Sequence, residues 1–326
     1  MQHRTLRRQG LRVSALGLGT MGMSVSYGPS NDDEGIATIH RAHELGITIF
    51  DTAQMYGQGA NEALVGKAVK GFRGEVVLAT KFGYDMTVQP LGTGFNSRPE
   101  NIRQVTENSL KLLRTDHIDV LYQHRPDPNV PIEDVAGTVG ELIQQGKVKY
   151  FGLSESDPDT IRRAHAITPV SVLQTEYSLF ERDVEEKILP VVRELGIGFV
   201  PYSPLGRGFL TSAVKPGHEY AEDDMRRWDE RWQGENYDYN LRATEQLKDL
   251  TAAKGITVTQ LALAWLLAQG DDIVPIPGTR SAARVEENVG AAGAELTPAD
   301  LRRIVEILPR GSAGGRYPAT YMPTDW

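Results

Sequence analysis

Eight short apolar runs, each followed by a stretch of helical periodicity, constrain the fold of this chain more than any other feature of its sequence. Apolar runs of a few residues bounded by turn residues read as strands, and apolar positions recurring every three to four residues read as helices. The runs fall near residues 15–19, 47–50, 76–81, 118–122, 148–153, 172–174, 198–201 and 273–274. Helices are expected at 32–45, 61–69, 98–113, 131–145, from 157 onward, and at 184–195, 241–253, 258–268, 282–288 and 298–307. One junction is used twice: Glu44-Leu45-Gly46-Ile47 and Glu194-Leu195-Gly196-Ile197 each end a helix at glycine and enter a strand at isoleucine. Strand–helix units joined by short turns give a parallel sheet, and eight of them close into a barrel.

The expected fold is therefore α/β, a (β/α)8 TIM barrel. A hairpin over residues 4–14 turning at Gly10 precedes it, a long loop at 208–238 follows strand seven, and an additional helix and tail end the chain. An open doubly wound sheet shares this periodicity, and length favours the barrel, which takes about 250 residues plus insertions. No Pro-, Gly- or Ser-rich linker divides residues 1–326, so a single domain is expected. The run Gly17-x-Gly19-x-x-Gly22 matches a dinucleotide-binding fingerprint, but that motif opens a helix directly. Here a loop through Gly28-Pro29 intervenes and the helix starts only near Asp32, so a Rossmann dehydrogenase is a minority alternative. Gly17 and Gly19 read instead as positions of close backbone approach on a first strand.

Three neighbouring strands end in chemistry. Strand two stops at Asp51, strand three at Lys81 and strand four at His124, with Tyr56 on the loop after strand two. Catalytic groups of such barrels sit at the C-terminal strand ends. Each side chain has an ordinary explanation alone: a turn aspartate, an ion pair, a hydrogen-bonded histidine, a stacked tyrosine. One rim receiving a carboxylate, an ammonium, an imidazole and a phenol looks like a site. A free tyrosine has a pKa near 10, and a cationic Lys81 held by Asp51 would lower it and fit Tyr56 to give a proton, with His124 bonding a substrate carbonyl.

With 40% hydrophobic and 24% charged residues the composition is ordinary for a globular protein, and the absence of cysteine excludes disulfides and thiolate chemistry. A net charge of -8 argues against nucleic acid as a partner. No apolar run is long enough to span a membrane, and Met1–Arg8 is not followed by one as in a secretory signal. A cytoplasmic location without membrane partners is the expectation. The segment 218–224, with one histidine and several acids, has irregular spacing for a metal, so no metal site is expected and the segment reads as solvated.

Asp51-x-x-x-x-Tyr56-Gly57, Lys81, His124, Tyr202-Ser-Pro-Leu-Gly206 and Ile276-Pro-Gly-Thr-Arg280 together resemble the aldo-keto reductase superfamily over nearly the whole chain. Tyr122-Gln-His-Arg125, Gly152-Leu-Ser-Glu155 and residues 203–210 further resemble its branch of pyridoxal, auxin-induced and perakine-type reductases. The resemblance implies NADPH as cofactor, a small-molecule carbonyl substrate, hydride transfer from nicotinamide C4 and a proton from Tyr56. It implies cofactor contacts from Gly19, Thr20, Met21 and Asp51, from Ser154 and Gln174 at the carboxamide, and from Tyr202 on the ring. Ser203, Pro204, Leu205, Gly206 and Arg207 would follow the pyrophosphate. Gly278, Thr279, Arg280 and Arg284 would take the 2′-phosphate, with Glu287 and Asn288 at the adenine. Glu155 stands where the family often has Asn. For the substrate pocket, Met21, Tyr27, Met55, Phe82 and Tyr84 follow strand ends, Trp228 and Trp232 lie in the long loop, and Tyr317, Tyr321 and Trp326 in the tail. A nucleotide-sensing regulatory subunit like the potassium-channel β-subunits shares this fold and is the alternative function; the lack of an extra N-terminal segment weighs against it.

Overall fold

The computed structural model describes residues 1–211 and 213–317; Tyr321 and Trp326 lie outside the described residues. The chain opens with the antiparallel pair β1 (His3–Leu6) and β2 (Leu11–Ser14). Strands and helices then alternate: β3 (Leu18–Gly19), α1 (Asp32–Glu44), β4 (Ile49–Asp51), α2 (Ala60–Ala68), β5 (Val77–Phe82), α3 (Pro99–Leu113) and β6 (Ile118–Gln123). They continue with α4 (Ile132–Gln144), β7 (Val148–Ser154), α5 (Pro158–Ile167), β8 (Val170–Glu176), α6 (Val184–Leu195) and β9 (Gly198–Tyr202). Four helices end the order: α7 (Gly234–Ala252), α8 (Val258–Leu267), α9 (Ala282–Gly290) and α10 (Pro298–Ile307).

Strands β3 to β9 pair in sequence order, all parallel. The expected eighth strand is the extended segment 273–278, which lies between β9 and β3 and closes the ring. Val274 and Ile276 donate to the carbonyls of Phe199 and Pro201, while Gly17 and Gly19 donate to those of Pro275 and Pro277. Backbone groups of one strand residue point to the same side, so both prolines face β3 where an N–H would otherwise donate. They remove half the ladder on that side, and a regular strand is not formed. Gly17 is needed where the ring closes, because a Cβ there would sit 2.7 Å from side-chain carbons of Ile276 and Ile49. The ring of parallel strands excludes the open sheet and, with it, the Rossmann alternative.

The repeated junction behaves as its sequence suggests. Gly46 and Gly196 take φ of 85° and 70°, and the following Ile47 and Ile197 donate back to Ala42 and Val192. Side chains alternate across the barrel wall. Ile49, Ala79, Val120, Val172 and Val200 meet inside, together with Leu6, Leu11 and Val13 of the hairpin, which plugs the bottom. Their neighbours Phe50, Leu78, Leu121, Leu173 and Phe199 face outward and pack beneath the helices. The period of two then carries the inward face to the upper rim: 49 to 51, 79 to 81, 122 to 124, 172 to 174 and 200 to 202.

Helices α2 and α3 touch through Gly66, where a Cβ would lie 2.6 Å from backbone atoms of Leu112 and Leu113. Backbone cannot yield as a flexible side chain does. Gly66→Ala is therefore expected to destabilise the fold by about 1–3 kcal/mol through overpacking, read as a lower denaturant midpoint at unchanged slope. No helix among the described residues is long and apolar enough to cross a membrane.

Candidate active site

A cavity of about 620 Å³ opens at the C-terminal ends of the strands. Asp51, Tyr56 and His124 line one end of it. Lys81 lies just behind, 1% exposed, paired with Asp51 and donating to the Thr52 carbonyl at 2.8 Å. The second oxygen of Asp51 accepts from Gln174 Nε2 at 2.7 Å. Tyr56 enters on a tight turn, Tyr56–Gly59, made by left-handed backbone at Gly57, Gln58 and Gly59. Its ring stands 5.8 Å from that of His124 at 84°, and the Lys81 ammonium is 5.2 Å from its centroid. Tyr84 holds the other side of His124, its ring 4.9 Å away. The four side chains thus meet at one mouth.

Their ionisation differs from the sequence expectation in one respect. Burial first, and the charge of Asp51 second, raise the Tyr56 pKa well above the ordinary tyrosine value. Lys81 does not lower it as expected: burial and Asp51 dominate, and the cation that acts against them is Arg125. Lys81 itself is shifted down by burial, against the pull of Asp51. His124 is held well below the usual histidine range by burial, then by the cations Lys81 and Arg125, so its imidazole is neutral.

The cavity runs on from this end. Gly19 and Met21 line it beside Ser154, Gln174 and Tyr202. It then passes Ser203, Pro204, Leu205 and Arg207, on a loop turned by left-handed backbone at Ser203, Gly206, Arg207 and Gly208. Its far end is walled by Gly278 and Thr279, then by Arg280, Arg284, Glu287 and Asn288. Gly19 and Gly278 bridge across the closing seam, and a Cβ on Gly19 would lie 3.0 Å from the Ile276 carbonyl. Helix α9 starts here without a side-chain cap on its first N–H groups.

Several expected contacts are corrected. Thr20 is fully buried and faces away from the cavity, its hydroxyl 2.6 Å from Asn61 Oδ1 and 2.8 Å from the Asp51 carbonyl. Gly206 does not line the cavity either; it supplies a turn packed on Phe180. Arg207 lines the cavity, but its guanidinium is already committed to Asp229 at 2.5 Å and Glu176 at 3.3 Å. Arg280 lies before α9, outside the phosphate position expected of it, and donates to the carbonyls of Tyr27, Gly28 and Pro29. It clasps the β3–α1 loop over the groove and leaves Arg284 as the exposed cation. Glu155 does not reach the cavity, since its carboxylate accepts from Tyr202 Oη at 2.8 Å and Arg316 Nη1 at 3.0 Å.

Among the expected substrate walls, Met21, Tyr27, Met55, Tyr84, Trp228 and Tyr317 line the cavity. Phe82 and Trp232 are core residues. The long insertion forms a cover: Met225 donates to the Ser26 carbonyl at 3.0 Å, joining it to the β3–α1 loop across the mouth, while residues 218, 219 and 221–223 are exposed as expected. Asp224, within the acidic segment, is 3% exposed and binds Arg226. Arg231 anchors the insertion on Glu176 and Glu181, each at 2.7 Å. Burial and the neighbouring Glu176 push Glu181 up to about 7. Arg125, Leu91 and Arg226 also line the cavity and were not expected there; only the position of Arg125 directly after His124 hinted at it.

Residues 15–309 match the model of the aldo/keto reductase family. A probable aldo-keto reductase of Glycine max is 47% identical over 315 residues, covering 96% of this chain and 90% of the relative. Among solved structures, the glycerol dehydrogenase of Gluconobacter oxydans superposes with a TM-score of 0.84 at 30% identity, covering 96% of each chain. An aldo-keto reductase from Bacillus halodurans in its holo form gives 0.79 at 28% identity, covering 98% of this chain and 99% of that one. The chain belongs to the aldo/keto reductase family, whose members are oxidoreductases using nicotinamide cofactors.

Proposed function

We propose that this chain is an NADPH-dependent reductase of aldehydes or ketones with Tyr56 as proton donor. The observation that carries this reading is the meeting of Tyr56, His124 and the Lys81–Asp51 pair at one end of a long cavity. Ser154, Gln174 and Tyr202 would hold the nicotinamide end, and the uncapped start of α9 with Arg284 would hold the 2′-phosphate, where free N–H groups and a cation favour an anion. When bound, NADPH supplies the hydride.

The side chains do the rest. A neutral His124 offers an N–H to the carbonyl oxygen and orients it towards Tyr56. The phenol, kept protonated by its raised pKa, gives its proton to that oxygen. The phenolate left behind faces the Lys81 ammonium, a preorganised charge stronger in this buried setting than in water. Met55, Tyr84 and Trp228 form the walls for the organic part of the substrate, and the insertion covers them.

The test is loss of nicotinamide absorbance when purified protein and NADPH meet a panel of aromatic and short aliphatic aldehydes, ketones, pyridoxal and sugars. Aldehyde-dependent oxidation is the expected result. Cofactor binding without turnover across the panel would instead favour the nucleotide-sensing role. The phosphate assignment carries its own prediction: Arg284→Ala is expected to raise KM for NADPH about tenfold, as loss of one charged hydrogen bond does, while KM for NADH stays put. Equal effects on both cofactors would remove Arg284 from the phosphate site.

A further inference from the structure

Beside His124 stands a cation that the proposed proton and hydride transfers do not use. Four arginines and lysines among the described residues are buried: Lys81, Arg125, Arg207 and Arg231. Three of them sit on acids, Lys81 on Asp51, Arg207 on Asp229 and Glu176, and Arg231 on Glu176 and Glu181. Arg125, 6% exposed, forms no ion pair with any described acid. Its Nη1 donates to the His124 carbonyl at 2.8 Å and reaches Ser154 Oγ at 3.4 Å. Among the described residues its Nε has no hydrogen-bond partner, and no hydrogen bond from Nη2 is formed. The residue lines the cavity, between the His124 end and Ser154.

An arginine remains charged at any pH the fold survives. A buried charge without a partner costs several kcal/mol, and an acid to balance it is the usual remedy. The nearby carboxylates make their short bonds elsewhere, Asp51 with Lys81 and Gln174, Glu155 with Tyr202 and Arg316; Glu155 acts on Arg125 electrostatically, without an ion pair between them. Among the described residues no acid is left to pair with it, and its open side is the cavity. A guanidinium is suited to a flat carboxylate or to a phosphate, and the remaining walls here, Met55, Tyr84, Leu91 and Trp228, carry no charge that would repel one.

We propose that Arg125 is a specificity residue that binds an anionic group on the substrate, so that the favoured substrates are carbonyl compounds bearing a carboxylate or phosphate near the reacting carbon. The inference rests on the carbonyl-reductase reading and deepens it. Because Arg125 lines the cavity between the His124 backbone and Ser154, the anion lies a few atoms from the carbonyl, which singles out short oxo acids and phosphorylated hydroxyaldehydes. The anion is bound unchanged; hydride still goes to the carbonyl carbon and the proton to its oxygen.

The experiment compares matched pairs with NADPH: 4-oxobutanoate against its methyl ester, 2-carboxybenzaldehyde against methyl 2-formylbenzoate, and glyceraldehyde 3-phosphate against glyceraldehyde. The native protein is expected to favour at least one anionic member about ten- to a hundredfold in kcat/KM, the carboxylate and phosphate pairs telling which anion is taken. Arg125→Met is expected to bring that ratio close to one, chiefly through KM, and Arg125→Lys to recover part of it. A protein that merely lost packing would lose both members of a pair alike. Should Arg125→Met not fold, the native ratios and Arg125→Lys still decide. Turnover of the neutral partners with no anionic preference in any pair overturns the proposal and leaves the reductase reading standing. So does a variant with weaker NADPH binding and an unchanged ratio, since Arg125 would then serve the cofactor. If no carbonyl is turned over at all, the reductase reading falls. Calorimetric titration of the NADPH-loaded protein with succinate and with inorganic phosphate then decides alone: binding lost in Arg125→Met supports the anion site, and no binding to the native protein overturns it.

Discussion

Replacing Tyr56 with phenylalanine is expected to lower kcat for carbonyl reduction by about a thousandfold while NADPH still binds. The change removes one hydroxyl and keeps the ring, so the edge contact with His124 at 5.8 Å and the position over Lys81 survive. What disappears is the group that gives the proton, and positioned general acids contribute about a hundred- to ten-thousandfold. The neutral imidazole of His124 is a poor substitute, since it can give up an N–H proton only at great cost in a buried site. Steady-state rates together with a fluorescence titration of NADPH separate the two effects. The raised pKa of Tyr56 fixes the pH profile as well. The native reduction rate should not decline through loss of the phenolic proton until pH exceeds the ordinary tyrosine value of 10.0. A variant retaining a tenth of the native rate would point to another donor.

The residues that could be found from sequence are those whose chemistry conflicts with their surroundings. Asp51, Lys81 and His124 each end an apolar run, and the period of two that puts Ile49, Ala79 and Tyr122 inside the barrel also points these three at the mouth. Nothing comparable marks Arg125 or Arg207. An arginine in a polar loop looks the same whether it coats the surface, as Arg162 does in its pair with Glu194, or is fully buried on Asp229. The difference lies in partners supplied by distant segments, which spacing does not reveal. Thr20 departs from its expected contact for a local reason: Gly19 and Met21 border the cavity, and the residue between them turns to Asn61. The apolar pair 273–274 does mark the start of the closing segment, but the loss of its ladder on one side follows from which way Pro275 and Pro277 face, and that depends on the register with β3. The covering role of the insertion depends likewise on its bond to Ser26, almost two hundred residues upstream.

Replacing Lys81 with methionine should damage stability and catalysis together, and the two losses can be pulled apart. The Lys81 side chain is fully buried, and removing its charge strands Asp51, 3% exposed, with Gln174 as its remaining side-chain partner. Breaking a buried pair from one side costs about 3–5 kcal/mol, because the surviving charge is left in a medium that solvates it poorly. Neutralising the acid as well removes that penalty: in Asp51→Asn with Lys81→Met, most of the lost stability is expected to return, since the asparagine oxygen can still accept from Gln174. Catalysis should not return with it. The phenolate formed when Tyr56 gives up its proton would lose the Lys81 ammonium in either variant, with Arg125 left to act on it, and the rate should stay down about a hundredfold or more. Chemical denaturation and kcat measured on the two single variants and the double variant give the complete cycle. Recovery of both quantities in the double variant would mean that the ion pair serves packing alone, and that Tyr56 needs no positive charge beneath it to act.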